Sequence, residues 1–329
     1  MILTENNSKY INGQPYVAIT YPFNKPDALF VEDFKLEEMA ENIQSKRIEK
    51  VFLNGLSTFD FIEPCNSIKH IVVEFNLPFS KIGQLNRKGN YFIKDYDLSP
   101  LCKLENLLSI DLRDNELPIV KAKCKLDISR FNNLQAYSGE QRFIVNLDKM
   151  VSLKSLYINH YKSQTNDLSE LSSMENLDTL NMNSAAVSSL NGISSMKNLK
   201  CLYLYNCRNL SDISDLGKLS DLRALRIDAC GKIDDFSAIS TLSKVELLDL
   251  TGSNELPNLD FLKTMKNLKT FALGVNILNG DLSLCKNIQA AYILKPKKHY
   301  NIKNSDLNNL PSGLIVRGNE DIEEWRRLE

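Results

Sequence analysis

The chain has 329 residues, 43% of them hydrophobic and 25% charged, which is ordinary globular composition. Forty Lys and Arg against 41 Asp and Glu leave a net charge of −1, too balanced for a protein that lives on nucleic-acid phosphates or anionic lipid. No run of ~18 apolar residues occurs, so no transmembrane helix is expected.

From the first residue, Met1-Ile2-Leu3-Thr4-Glu5 opens without a basic region leading into an apolar stretch, so no secretory leader is expected and a cytoplasmic location is the reading. Residues 15–22 read as a strand. Residues 32–46 read as an amphipathic helix with Phe34, Leu36, Met39 and Ile43 inward. Together, residues 1–47 are expected to cap the first end of a repeat array. Strand-like triplets then follow at Ile48-Val51-Leu53 and Ile68-Ile71-Val73, with a weak copy around Tyr91-Ile93. Leu107-Ile110-Leu112, Leu134-Tyr137 and Leu153-Leu156-Ile158 come next. The pattern is clearest from Leu177 onward, where the central anchors Leu180, Leu202, Leu225, Leu248 and Phe271 are 22, 23, 23 and 23 residues apart. Ile288-Ala291-Ile293 continues it, and Leu314-Ile315-Val316 reads as a last strand. The stretch 113–150 breaks the period, with 27 residues from Ile110 to Tyr137, and a bulge or inserted loop is expected there.

Between strands the apolar residues change to a spacing of three, as in Val187, Leu190, Ile193, Met196 and in Leu210, Ile213, Leu216, Leu219. That spacing suits a 3₁₀ or extended turn better than an α-helix, whose stripe would mix threes and fours.

The unit L-x-x-L-x-L-x-x-N/C-x-[LI]-x-x-[LI]-x-x-L resembles the 22-residue leucine-rich-repeat class of internalins and related regulatory proteins. The resemblance implies an α/β solenoid, a horseshoe or arc with a parallel β-sheet on its concave side and a thin 3₁₀ or extended convex side. The solenoid is expected over residues 48–316, closed by a terminal helix at 317–329 with Trp325 as a plug. The Asn/Cys slot holds Asn115, Cys207, Cys230 and Asn276, but also Tyr161, Ala185 and Ser253. The slot asks for a small, semi-polar group, so Cys207 and Cys230 read as buried weak hydrogen-bonders. The seven cysteines contain no Cys-x-x-Cys pair and read as free thiols.

Signs of catalysis are poor. The three histidines are scattered, no phosphate-binding or nucleophile motif is present, and no metal or cofactor is expected. Lys295-Pro296-Lys297-Lys298-His299 reads as a solvated loop. Function is free to vary on the concave face of the sheet, where the residues between the packed anchors point outward because side chains alternate across a strand. The residue between the fourth and sixth positions gives a row containing Asp111, Tyr157, Asn181, Tyr203, Arg226, Asp249 and Tyr292. The residue after the sixth gives Arg113, Asn159, Asn183, Tyr205 and Asp228. From these, Arg113, Tyr157, Asn159, Asn181, Tyr203, Tyr205, Arg226, Asp228, Asp249 and Tyr292 are the candidate partner-binding residues, tyrosine and arginine being enriched in interface hot spots. The expected role is a non-enzymatic, monomeric, bacterial protein-binding module that grips a protein partner, as an immunity protein neutralises a toxin. A secreted effector or adhesion protein is the alternative.

Overall fold

The computed structural model describes residues 36–75 except 55 and 57, then 94–114 and 120–307, together with the short strands at 10–11, 14–15 and 17–20. The Tyr91-Ile93 and Leu314-Val316 strands, Phe34 and the 317–329 helix with Trp325 lie outside the described residues. The chain divides into two units, Met1–Leu153 and Lys154–Glu329.

In the first unit, β1 (Tyr10–Ile11) and β2 (Gln14–Pro15) pair antiparallel. The main ladder is parallel and runs β3 (Val17–Thr20), β4 (Lys50–Asn54), β5 (His70–Glu74), then two later strands. The helix α1 (Leu36–Ser45) precedes β4 and buries Ala40 and Ile43. Three further strands are β6 (Lys94–Asp97), β7 (Ser109–Arg113) and β8 (Val120–Cys124). They are followed by β9 (Leu126–Asp127), β10 (Ala136–Glu140) and β11 (Ile144–Val145). β5 pairs directly with β7, and β7 with β10. The irregular 113–150 segment is more than an inserted loop. Its β8 pairs with β6, and β9 with β11, as two separate parallel ladders. An aromatic group of Phe59, Phe75, Tyr96 and Phe143 fills this unit, with Phe75 and Phe143 centroids 5.0 Å apart.

The second unit is regular. β12 (Ser155–Asn159), β13 (Thr179–Asn183), β14 (Cys201–Tyr205) and β15 (Ala224–Asp228) lie parallel in sequence order. β16 (Leu247–Leu256), β17 (Thr270–Ile277) and β18 (Ala290–Ile293) continue the ladder. The anchors Leu156, Leu180, Leu202, Leu225, Leu248 and Phe271 are fully buried, each stacked on the equivalent residue one strand away. Between strands the chain makes single 3₁₀ turns such as Ile193–Ser195, Ser214–Lys218 and Ser237–Thr241, as the spacing of three predicts.

Two local devices recur at the repeat turns. Just beyond β12–β15 one residue takes a left-handed backbone: His160 (φ 53°), Ser184 (55°), Asn206 (54°) and Ala229 (55°), with Gly252 (142°) at the equivalent place inside β16. Ahead of several 3₁₀ turns a side-chain carboxylate or amide accepts the N–H two residues on. Asp167 takes Ser169 N at 2.9 Å, Asp212 takes Ser214 N at 3.0 Å and Asp281 takes Ser283 N at 2.9 Å. In Asp235 this bond to Ser237 is the main reason its carboxyl sits below the usual range.

The Asn/Cys slot is buried as expected at Tyr161, Ala185, Cys207 and Cys230. Cys207 Sγ lies 3.7 Å from the Met182 carbonyl and Cys230 Sγ 3.8 Å from that of Leu204, and both thiols are free. In the next repeat the expected occupant, Ser253, is exposed, and Asn254 fills the slot instead. The reason is a bulge in β16, where the three residues 252–254 stand opposite the single residue 275 of β17 between the Thr251 and Glu255 pairs. Asn276 is also outside the slot, its amide turned to Glu255 Oε1 at 2.9 Å. Beyond β18, side chains substitute for a further repeat. Tyr300 Oη accepts Ile277 N at 3.1 Å, and the Asn304 amide accepts from Ile293 N at 2.8 Å and donates to Ile293 O at 2.9 Å.

Candidate partner-binding face

Residues 156, 158 and their equivalents point into the core, so the alternate residues of β12–β18 share the outer face. The ladder register aligns them into rows. Tyr157, Asn181, Tyr203, Arg226, Asp249, Ala272 and Tyr292 stand side by side, as do Asn159, Asn183, Tyr205, Asp228, Thr251 and Gly274. Nine of the ten candidate residues are therefore brought onto one face of one unit. Arg113 belongs to the other unit, where its Nε meets Asp111 Oδ2 at 2.7 Å.

The same alternation puts a third row on this face that the sequence reading missed: Ser155, Thr179, Cys201, Ala224, Leu247, Thr270 and Ala290. These are the third positions of the L-x-x-L-x-L lines, so the signal was available. The extra row changes what two candidates do. Tyr203 was expected to stand out as an anchor, yet it is only 7% exposed and packs with Ala224 and Leu247, with Cys201 against them. Third-row apolar neighbours give its ring a surface to lie on, and burial there removes apolar area from water. Asp249 was expected to be accessible, and only 7% of its side chain is.

Asp249 sits beside Arg226, Nε to Oδ2 3.1 Å, and the guanidinium is also 3.8 Å from Asp228 Oδ2. One cation thus faces two carboxylates. Burial pushes the Asp249 carboxyl up to about 6, although Arg226 pulls the other way, because desolvation penalises the charged form more than one shared cation repays. Thr251 is close enough to assist, but neither its hydroxyl nor Asp249 Oδ1 completes a hydrogen bond.

The exposed large side chains of this face are Tyr205 (47%) and, at β18, Tyr292 (39%) with Leu294 just beyond it. Between Asp249 and Tyr292 the face is low, since β17 offers only Thr270, Ala272 and Gly274. A Cβ on Gly274 would come within 2.7 Å of Thr251 Cγ2, so glycine is needed for that close approach. The Lys295–His299 segment is exposed, with Lys295 Nζ donating to Gly252 O at 3.2 Å. Among the described residues no group of three or more His, Cys, Asp or Glu could hold a metal ion, and no helix is long and apolar enough to cross a membrane.

Comparison of the whole sequence with curated proteins finds no relative. A family model described as R13L1/DRL21 LRRs matches residues 115–230. Among solved structures, an internalin from Listeria monocytogenes is similar at 17% identity and a TM-score of 0.51, over 76% of this chain and 73% of that one. A leucine-rich-repeat protein of Leptospira interrogans is similar at 17% identity and a TM-score of 0.45, over 77% of this chain and 74% of that one. With parallel ladders at this period, buried leucine anchors, an Asn/Cys slot and 3₁₀ turns on the page, the chain is a leucine-rich-repeat protein.

Proposed function

We propose that the chain is a protein-binding module that holds its partner on the outer face of β12–β18 and acts by binding rather than by catalysis. The observation that carries this reading is the register. It sets an exposed aromatic (Tyr205), a guanidinium (Arg226) and a carboxylate (Asp228) on two adjacent strands. Aromatic and arginine side chains beside apolar area are what hot spots are made of. Side chains fixed on a hydrogen-bonded ladder also lose little freedom on binding, so more of the contact energy appears as affinity. Seven free thiols fit work in a reducing compartment.

The experiment is cross-linked capture from the native organism with wild type and with a Tyr205→Ala, Tyr292→Ala double variant. A protein retained by the wild type and lost from the variant supports the face; equal capture by both removes it. Toxin neutralisation is a finer form of the same reading. It stands if the captured protein arrests growth when expressed alone and the chain relieves the arrest, and it falls if that protein is harmless.

A further inference from the structure

We infer that the partner presents a lysine or arginine side chain to this face, seated on Asp228 between the Tyr205 ring and the Asp249 carboxylate. The inference rests on the protein-binding reading above and specifies the chemistry of the partner at that face.

Charge is the first argument. Asp228 on β15 and Asp249 on β16 share the single guanidinium of Arg226, at 3.8 and 3.1 Å, which leaves one carboxylate in excess. The strand on the far side of Asp249 supplies Ala272 and Gly274 in the paired positions, and the Lys295 ammonium on that side is engaged with the Gly252 carbonyl at 3.2 Å. Asp249 is the member that suffers. It is nine-tenths buried, its Oδ1 makes no hydrogen bond, and its carboxyl is pushed up to about 6. A second cation beside the pair would remove that cost, which is the signature of a face completed by its ligand.

Geometry is the second argument, and it is independent of charge. Tyr205 and Asp228 are register partners on adjacent strands, and Tyr205 is 47% exposed while Asp228 keeps 23% of its side chain open. A basic side chain reaching Asp228 therefore lies beside an aromatic ring, and a cation over the face of that ring gains from its quadrupole. The low floor of Ala272 and Gly274 leaves room for the backbone that carries it. An acidic ligand would find Arg226 already engaged and would add to the surplus.

The test uses the full chain and a library of random linear peptides as the probe. Peptides selected on wild type should be enriched in Lys or Arg at one fixed position. Their affinity should fall at least about tenfold on Asp228→Asn, and should survive Tyr205→Phe but not Tyr205→Leu. Asp228 is partly open, so Asp228→Asn is a safe substitution; Asp249→Asn, isosteric at the buried position, is the second variant and should weaken the same peptides. Peptides that need Tyr205 but carry no basic residue, or that ignore both carboxylate variants, overturn this inference and leave the protein-binding face standing. Peptides insensitive to Tyr205, Asp228 and Asp249 alike overturn both. Recovery of no binding peptide overturns the basic anchor alone, since the capture experiment judges the face separately.

Discussion

Asn254 grips the repeat behind it, its Nδ2 donating to the Ile233 carbonyl at 2.7 Å and also to the Cys230 carbonyl at 3.1 Å. All three groups lie in the interior; the Cys230 carbonyl also accepts from Ile233 N–H at 3.3 Å, so it is the Ile233 carbonyl that would be stripped of water with nothing in return. Asn254→Ala should therefore destabilise by about 1–3 kcal/mol, the cost of a buried acceptor left unpaired. Asn254→Cys, the residue type the slot accepts at 207 and 230, should recover part of the loss. Denaturant unfolding checks both, and an unchanged midpoint for the alanine variant would deny the slot its role.

Asp249 gives a pH dependence with a definite sign. Its folded value of about 6 lies above the ordinary 3.8, so the folded chain holds this proton more tightly than the unfolded one. The stability contributed by protonation is complete below about pH 4 and is lost as pH rises through about 6. A shift of roughly two units corresponds to at most about 3 kcal/mol. Arg226 and Asp228 are the charged groups that face it. Asp249→Asn should melt higher than wild type near neutral pH, with the difference closing toward pH 4. A difference that stays flat over that range would show that Asp249 is not the titrating group.

Ala229 turns the chain with φ of 55° while its side chain is exposed to solvent. A left-handed backbone costs an L-residue about 1–2 kcal/mol, and glycine avoids that cost. Ala229→Gly should accordingly raise stability by roughly 0.5–1 kcal/mol after the entropy that glycine loses on folding. Ala224→Gly, in a strand and fully buried, should do the reverse, and parallel thermal melts of the two variants decide it.

Binding and stability should separate on the outer face. Tyr205→Ala removes an exposed ring and should weaken partner binding by about 2 kcal/mol, roughly thirtyfold, with stability changed by no more than about 0.5 kcal/mol. Tyr203→Ala should instead cost about 1–3 kcal/mol of stability, because that ring packs on Ala224 and Leu247. Leu225→Ala empties a core position and should cost about 2–5 kcal/mol. Calorimetry and melting on the same three variants test the division. Equal loss of affinity and stability by Tyr205→Ala would place it in the fold rather than the interface.

The thiols should react in order of burial. Cys124 is exposed, whereas burial pushes Cys65 up to about 11 and Cys285 up to about 12. Cys230 is raised by its hydrogen bond with Cys207 and by burial. A thiol reagent at neutral pH should therefore modify Cys124 rapidly and these buried thiols only on unfolding. Fast labelling of Cys285 in the folded chain would contradict its placement.

The fold was legible because the core obeys a strict period: Leu180, Leu202, Leu225, Leu248 and Phe271 are interchangeable solutions to one packing problem. Alternation from those anchors also placed Tyr157, Arg226 and Asp228 on one face. Exposure was less legible, since it depends on neighbours across strands. Tyr203 is covered because positions 224 and 247 on the following strands are apolar, a relation that no single repeat displays. Ser253 and Asn254 were confused for a related reason, as a bulge can be taken up on either side of the slot. The Asp-x-Ser signal at 167–169, 212–214, 235–237 and 281–283 was written in the sequence and went unread, because it serves turns rather than the apolar pattern.

The side-chain amide of Asn304 occupies both the N–H and the C=O of Ile293 on β18, where the described ladder ends. The last rung is thus sealed by the same two hydrogen bonds that an incoming strand from another molecule would make. Fibre-like growth of one copy onto the next is opposed at Ile293 chemically, by competition for its backbone groups. The nearby outer face, with Tyr292 and Leu294 exposed, can stay apolar enough to attract a partner without the edge beside it offering a free peptide group at Ile293 for polymerisation.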